Sequence, residues 1–280
     1  MITKVKFTKM HGTGNDYIYV NSIIYPIPDP AEISKAWSKY HTGIGSDGLV
    51  LIGKSDNADF SMHIFNADGS EAKMCGNASR CIGKYVYDNK LCNKEIITLE
   101  TLSGIKEIKL NIKDKEVKSV TVDMGIPMLK CKSQIATQTG NLIDEILYID
   151  KKKYYSTFIS VGNPHLVIFV NDINNVNLQE IGPKIENYSL FPEKVNVEIV
   201  ELLKDNSLSM RVWERGSGET MACGTGACAS LVAAVIKGIS KPNNIVRMRG
   251  GKLFIEWDQE NGHIYMTGEA VKVFDGEVDL

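Results

Sequence analysis

The chain has 280 residues, of which 43% are hydrophobic and 24% are charged, a composition typical of a soluble globular protein with room for two ordinary domains. The net charge is −2 at pH 7, and without a clustered basic face the sequence does not indicate a nucleic-acid-binding protein. The N-terminus has no apolar signal-peptide core, and no apolar run reaches membrane-spanning length. We therefore expect a cytoplasmic protein that binds neither nucleic acid nor membrane.

The first half of the chain combines short strands with two helices. Strands are predicted at 5–10 and 17–20, on either side of the glycine-rich turn HGTGND. Asp29 and Pro30 suit the start of a helix over 31–40, as N-cap and first-turn residue. A further helix follows Cys75. The remaining predicted strands are at 59–65, 96–101, 105–112 and 117–123.

The second half repeats this order of elements. Strands are predicted at 157–161, 166–170, 195–201 and 208–213, a short helix at 177–185, and three or four strands from 245 to 273. The segment after Cys223, GTGACASLVAAVIKG, is apolar almost all round. Such a helix is expected to be enclosed by a sheet rather than laid on a surface. Because the alternation of strands and helices is irregular, we predict the α+β class.

An internal repeat relates the two halves at an offset of 148 residues, the difference between Cys75 and Cys223. The same offset aligns Gly14-Asn15 with Gly162-Asn163, and Glu71 with Glu219. We therefore expect two pseudo-symmetric lobes, each a curved, mainly antiparallel sheet around a central helix. The expected N-terminal lobe spans 1–122 and carries Cys75, and the C-terminal lobe spans 123–269 and carries Cys223. A last strand within 270–280 is expected to return to the first lobe.

Cys75 and Cys223 each directly precede a predicted helix. The positive end of the helix dipole favours a thiolate, and the glycines that follow allow backbone N–H groups to approach an anion closely. A carboxylate substrate held in a cleft between the lobes would have one cysteine on each side of its α-carbon. One thiolate could then remove the α-proton while the opposite thiol protonates the other face, which inverts the stereocentre.

Other roles for the cysteines remain open at this point. Most cysteines are buried core residues, and we assign Cys81, Cys92, Cys131 and Cys228 to that class. A zinc site built from two loops lacks the usual ligand spacing, and a structural disulfide conflicts with a reducing compartment. A phosphate cradle at GSGETMACGTG lacks the Gly-Lys-Ser/Thr ending. A thiol-redox protein or a non-catalytic amino-acid-binding protein is the alternative of another class.

Across essentially its whole length the sequence resembles the diaminopimelate epimerases, amino-acid epimerases that work without pyridoxal phosphate. The resemblance is carried by KMHGTGNDY, GIGSDGLV, FNADGSEAKMCGNASRC, VGNPHLV, VNVEIV and RVWERGSGETMACGTGACA. It implies conversion of LL- to meso-diaminopimelate in the biosynthesis of lysine and peptidoglycan precursors. It also implies no cofactor, no metal and a homodimer.

The resemblance implies particular site residues as well. Cys75 and Cys223 would be the acid/base pair, and His165 and Glu214 would assist them. The implied substrate contacts are Asn15, Asn66, Gly76, Asn77, Asn163, Asn196, Glu214, Arg215, Gly224 and Thr225.

Two positions depart from a familiar form of the family pattern. Gly48 stands where some members have a substrate-contacting glutamine, so its place in the site is in doubt. Ala78 stands where many members have a glycine, and alanine favours the helix. Relatives with the same cysteine pair and another substrate, such as a histidine racemase or a proline-type epimerase, are the nearest alternative. The set Asn66, Asn163, Asn196 and Arg215 favours a substrate with a second amino-acid end.

Overall fold

The protein is described by a computed structural model that covers residues 4–280. The first three residues of the expected N-terminal lobe therefore lie outside the described residues. The chain divides into two compact units. The first contains the residues up to Asp123 together with Thr267–Leu280, and the second is Met124–Met266.

The elements follow one another in the same order in both units. In the first stretch they are β1 Lys4–Gly12, β2 Asn15–Asn21, α1 Pro30–Trp37, β3 Gly48–Gly53, β4 Phe60–Asn66, β5 Glu71–Ala72, α2 Gly76–Asp88, β6 Ile96–Thr101, β7 Gly104–Lys113 and β8 Glu116–Gly125. They continue with β9 Glu145–Ile149, β10 Lys152–Ser160, β11 Pro164–Phe169, a 3-10 turn Ile173–Asn175, α3 Leu178–Glu186, β12 Asn196–Leu202, β13 Leu208–Glu214 and β14 Gly218–Thr220. The last are α4 Gly224–Ile236, β15 Asn243–Met248, β16 Gly251–Trp257, β17 Ile264–Gly268 and β18 Val271–Asp279.

Strand pairing shows that the two units share one topology. In the first unit β1 pairs antiparallel with β2, β2 parallel with β3, β3 antiparallel with β4, and β4 parallel with β6. In the second unit β10, β11, β12, β13 and β15 pair in the same sequence of directions. The outer partner differs in origin, because β1 pairs with β18 whereas β10 pairs with β9. The α+β class and the repeated, sheet-dominated architecture predicted from the sequence are thus confirmed.

The helix α4 forms the centre of the second unit. Its residues from Gly226 to Ala234 are buried, and it packs against β10, β11, β12, β13, β15 and β16. This enclosure explains why its sequence has no polar face. In the first unit α2 packs against β1, β2 and β7, and buries a face that includes Ala78, Cys81, Ile82 and Val86.

Four strands, β3, β5, β9 and β14, were not predicted, and one helix end differs from the sequence-based prediction. The strand β3 was not predicted, because GLVLIG is a continuous apolar run and a strand buried on both faces shows no alternation. The short strand β9 was also missed. The side chain of Asp29 accepts a hydrogen bond from the backbone N of Glu32 at 3.2 Å, as expected for an N-cap. However, α1 ends at Trp37 rather than residue 40, and Tyr40 is 66% exposed with no core to cover.

The expectation that four cysteines are core residues is half correct. Cys81 and Cys228 are buried, whereas Cys92 and Cys131 are only partly buried. Within residues 4–280, none of the helices is both long enough and apolar enough to cross a membrane.

The enclosed position of α4 predicts a large stability cost for shortening one of its side chains. Leu231 is 0% exposed, so Leu231→Ala should lower the free energy of unfolding by about 2–5 kcal/mol through lost burial and a residual cavity. Urea unfolding followed by tryptophan fluorescence measures this change. Leu102→Ala is the matched control because Leu102 is 55% exposed, and its cost should stay under about 0.5 kcal/mol. Equal effects of the two substitutions would contradict the enclosed packing of α4.

Candidate active site

The two expected catalytic cysteines occupy equivalent positions in the two units. Cys75 is the N-cap residue of α2, with φ −141° and ψ 116°. Cys223 is the N-cap residue of α4, with φ −135° and ψ 115°. Both backbones are extended, and each cysteine directly precedes the first N–H groups of its helix, which have no partner within the helix. The Cys223 sulfur accepts a hydrogen bond from one of them, the backbone N of Gly226, whereas the Cys75 side chain makes no capping bond. The main chain thus places each sulfur where an anion is favoured.

Three of the expected residues meet at the start of α2 in the first unit. The Oδ1 atom of Asn15 accepts hydrogen bonds from the Cys75 thiol at 3.5 Å and from Asn77 Nδ2 at 3.3 Å. Asn15 directly follows Gly14, whose φ of 82° lies in the left-handed region that favours glycine. The HGTGND turn therefore carries Asn15 to the helix start. Gly76 and Asn77 are buried there as the first residues of α2.

Asp47 was not predicted to belong to this group. Its Oδ2 accepts hydrogen bonds from Asn15 Nδ2 at 2.7 Å and from the backbone N of Asp16 at 3.0 Å. Burial raises the pKa of the Asp47 carboxyl, and these hydrogen bonds oppose that rise. The carboxylate fixes the Asn15 amide with its oxygen toward Cys75. A charged residue between the apolar strand β3 and a glycine-rich loop was the signal in the sequence.

Gly48 and Asn66 lie further along the same unit. They are paired residues of the β3–β4 ladder, and Asn66 Nδ2 donates to Ser70 Oγ at 3.0 Å. A Cβ atom at Gly48 would lie 2.1 Å from the backbone oxygen of Phe65, so this backbone accepts only glycine. Gly48 consequently offers main-chain atoms and no side-chain contact at this position.

In the second unit a chain of side chains leads to Cys223. Glu198 Oε1 lies 2.7 Å from His165 Nδ1, and His165 Nε2 lies 3.0 Å from Asn163 Oδ1. Asn163 Nδ2 then donates to Thr225 Oγ1 at 3.3 Å, and Thr225 Oγ1 lies 3.4 Å from the Cys223 sulfur. Glu198 was not predicted, although a glutamate in the apolar strand VNVEIV was the signal. His165 and Glu198 are both fully buried.

The remaining predicted residues of this unit form a second group. Glu214 Oε1 accepts a hydrogen bond from Thr220 Oγ1 at 2.5 Å. The backbone N of Arg215 donates to Asn196 Oδ1 at 3.0 Å, and Asn196 Nδ2 donates to the backbone oxygen of Pro164 at 2.9 Å. Arg215 as a residue is half-buried, and its guanidinium donates to the backbone oxygen of Glu193 at 2.9 Å in an exposed position. Among the residues that the structure describes, none forms an ion pair with the Arg215 side chain.

The electrostatic surroundings of Cys223 correct one prediction. The helix start was expected to lower the pKa of the thiol, yet the pKa of Cys223 is raised well above its usual value. Burial is the largest cause, and the carboxylates of Glu214 and Glu198 raise the pKa further. Hydrogen bonds from Thr225 and from the backbone N of Gly226, at 3.4 Å, favour the thiolate but do not outweigh burial.

The carboxyl group of Glu214 predicts a pH-dependent contribution to stability. Burial raises its pKa above 4.5 in the folded protein. Above pH 4.5 the folded state therefore keeps a proton that the unfolded state releases, and stability falls as the pH rises toward the folded pKa. Relative to the wild type, Glu214→Gln should lose less stability over this range, as measured by urea midpoints at successive pH values. The exposed Glu260→Gln variant is the control and should parallel the wild type. Parallel curves for Glu214→Gln would contradict the raised pKa.

Comparison with known proteins adds to this geometry. The family model described as diaminopimelate epimerase matches residues 7–130 and 157–273. The chain is 62% identical to the diaminopimelate epimerase of Phocaeicola vulgatus over 280 residues, covering 100% of both chains. It is 53% identical to that of Acetivibrio thermocellus over 277 residues, covering 99% of both.

Solved structures with low sequence identity share the fold. A hydroxyproline epimerase from Agrobacterium vitis superposes with a TM-score of 0.72 at 14% identity, covering 100% of this chain and 93% of the other. A phenazine biosynthesis protein from Bacillus anthracis gives a TM-score of 0.71 at 17% identity, covering 99% of each chain. The family match and the full-length identities agree with the paired cysteine helix starts, and this chain belongs to the diaminopimelate epimerase family.

Proposed function

We propose that the protein interconverts LL- and meso-diaminopimelate, with one of Cys75 and Cys223 removing the α-proton and the other delivering a new proton to the opposite face. The observation that carries this proposal is the equivalent placement of the two cysteines, each an extended N-cap at the start of a central helix. Identity of 62% to a named diaminopimelate epimerase supports the choice of substrate. The product feeds the biosynthesis of lysine and peptidoglycan precursors.

The chemistry follows from the properties of thiols. One cysteine, as thiolate, removes the α-proton, and the other, as thiol, donates a proton to the opposite face of the carbanion. The two must therefore start a turnover in opposite protonation states. The raised pKa of Cys223 supports a protonated Cys223 as the initial donor at neutral pH. Cys75, whose thiol donates a hydrogen bond to Asn15 Oδ1, is then the initial base once it has released that proton. In the reverse direction the two roles exchange.

Backbone N–H groups at the helix starts stabilise the charge that develops on the substrate carboxylate. Gly76 and Asn77 supply them in α2, and Gly224 and Thr225 in α4. Such donors are already oriented before the reaction, so they require little reorganisation in the transition state. Burial of Cys223, which is 6% exposed, limits access of water and strengthens these interactions.

The other predicted residues receive binding roles in this proposal. Arg215 holds a distal carboxylate through its guanidinium, and neutral amides recognise the polar ends of the amino acid without adding charge. His165 and Glu214 assist Cys223. The amides are Asn15, Asn66, Asn77, Asn163 and Asn196. On the family resemblance we further propose that the enzyme works without cofactor or metal, as a homodimer, in the cytoplasm.

Incubation with LL-diaminopimelate in deuterated water tests the reaction. The protein, kept reduced, should form meso-diaminopimelate that carries deuterium at the inverted α-carbon, as seen by mass spectrometry and proton NMR. Histidine, proline and hydroxyproline, assayed alongside, should show no exchange. A folded protein that exchanges one of these amino acids and not diaminopimelate would replace the proposed substrate.

Single cysteine substitutions test the two-base scheme. Cys75→Ala and Cys223→Ala should each lower inversion by about 100- to 10,000-fold or more, because a positioned acid or base is lost. Any remaining hydrogen exchange should be confined to one stereoisomer in each variant, since only one face keeps a base. Cys92→Ser is the matched control because Cys92 is also a free, partly buried cysteine and is not a residue of the proposed site. Near-normal inversion by either alanine variant would exclude the scheme.

A further inference from the structure

Glu198 is a charged residue in the middle of an apolar strand. It lies on β12, is 0% exposed, and contacts His165 Nδ1 at 2.7 Å. Within residues 4–280, its Oε2 atom has no hydrogen-bond partner. Burying a carboxyl group this completely is costly unless a specific interaction compensates for it. The pairing with His165 is that interaction.

The contacts of His165 determine where its protons lie. Its Nε2 is 3.0 Å from Asn163 Oδ1, and an amide oxygen can only accept a hydrogen bond, so Nε2 carries a hydrogen. Its Nδ1 is 2.7 Å from Glu198 Oε1, so a second proton lies between these two atoms. With the carboxylate of Glu198 on one side and the amide oxygen of Asn163 on the other, both ring nitrogens of His165 face acceptors.

The hydrogen bonds that follow share one consistent direction. Because Asn163 Oδ1 accepts from His165, its Nδ2 faces Thr225 Oγ1 and donates to it at 3.3 Å. The Thr225 oxygen is then an acceptor, and its own hydrogen can point to the Cys223 sulfur 3.4 Å away. Each bond in the chain is directed toward the sulfur, where the last donor favours the thiolate.

Gly226, in the first turn of α4, lies directly against the carboxylate of Glu198. A Cβ atom at Gly226 would lie 2.6 Å from Glu198 Oε1, so a larger residue at this position would displace the carboxylate from its present contact with His165. The offset of 148 residues relates Glu198 to Val50 and Gly226 to Ala78, both of which are buried in the first unit. Where the carboxylate is replaced by valine, alanine is accommodated. Glu198 and its glycine are therefore a feature of the Cys223 half alone.

We propose that Glu198 is a positioning residue that holds the hydrogen on His165 Nε2 and so directs the amide of Asn163 and the hydroxyl of Thr225 toward Cys223. This role rests on the proposed function in that it concerns the reactivity of the Cys223 thiol. In Glu198→Gln the amide oxygen can accept from Nδ1–H without a second proton on the ring, which leaves Nε2 bare. Asn163 then turns its nitrogen toward His165, and Thr225 donates to the asparagine oxygen instead of to sulfur. The new amide nitrogen can also donate to Nδ1 and keep the hydrogen on Nε2, and the spectrum of the variant distinguishes the two arrangements.

The tautomer of His165 is the direct measurement, and it needs no substrate. Nitrogen-15 NMR of the wild-type protein, which has five histidines, should show His165 with a protonated Nε2 near neutral pH. The spectrum of His165→Gln identifies the signal. A bare Nε2 in the folded wild type would overturn the proposal without any Glu198 variant.

Glu198→Gln should shift the His165 signals toward loss of the Nε2 proton. It should slow iodoacetamide modification of Cys223, followed by peptide mass spectrometry, by about 10–100-fold, with a similar fall in turnover, which is the factor expected for loss of one hydrogen bond to a charged group. Glu198→Asp keeps a carboxylate and should restore part of the modification rate and part of the turnover. The matched control is Glu201→Gln on the same strand, whose carboxylate accepts from the backbone N of Ile173, a bond that an amide oxygen can replace.

The outcomes separate the two proposals. An unchanged His165 signal and an unchanged Cys223 modification rate in Glu198→Gln would overturn the role of Glu198, whatever the substrate. If Glu198→Gln does not fold, the role of Glu198 is tested by the His165 signals of the wild type and by the Cys223 modification rate of Glu198→Asp. Absence of deuterium exchange with diaminopimelate would overturn the proposed function and leave these substrate-free measurements in place.

Discussion

Each central helix begins in the interior of its unit, where its first N–H groups have no partner within the helix. At both starts the N-cap is a cysteine with an extended backbone, followed by a buried glycine. Cysteine is a poor cap compared with serine or aspartate, so the residue type reflects reactivity more than helix stability. In α4 the Cys223 sulfur itself accepts a hydrogen bond from the backbone N of Gly226, and the N–H groups at the start of a helix favour an anion. The strands that pack around each helix keep its start in this position.

The repeat explains how one chain makes two such helix starts, and the differences between the repeats explain why the two cysteines are not equivalent. Cys75 contacts the neutral amide of Asn15, which Asp47 holds in place. Cys223 lies near two carboxylates and is more deeply buried, which raises its pKa. The two thiols therefore lie in different electrostatic surroundings.

Much of the fold could be read from the sequence, because its signals are local. The glycine-rich turns, the Asp29–Pro30 helix start and the apolar segment after Cys223 each indicated the correct element. The strand β3 was missed because a strand buried on both faces lacks the alternation that marks a half-buried one. The early end of α1 was missed because it depends on where the core stops, beyond Trp37, and helical periodicity does not report that.

The sequence by itself determined the repeat, the two cysteines and the glycines that follow them, because these depend on residue type and spacing along the chain. Only the tertiary structure decided their surroundings. Asp47 beside Asn15, and Glu198 beside His165, are contacts between residues that are far apart in sequence. The raised pKa of Cys223 also depends on the tertiary structure. Desolvation and nearby carboxylates arise only when the chain is folded, and they outweigh the local effect of the helix start.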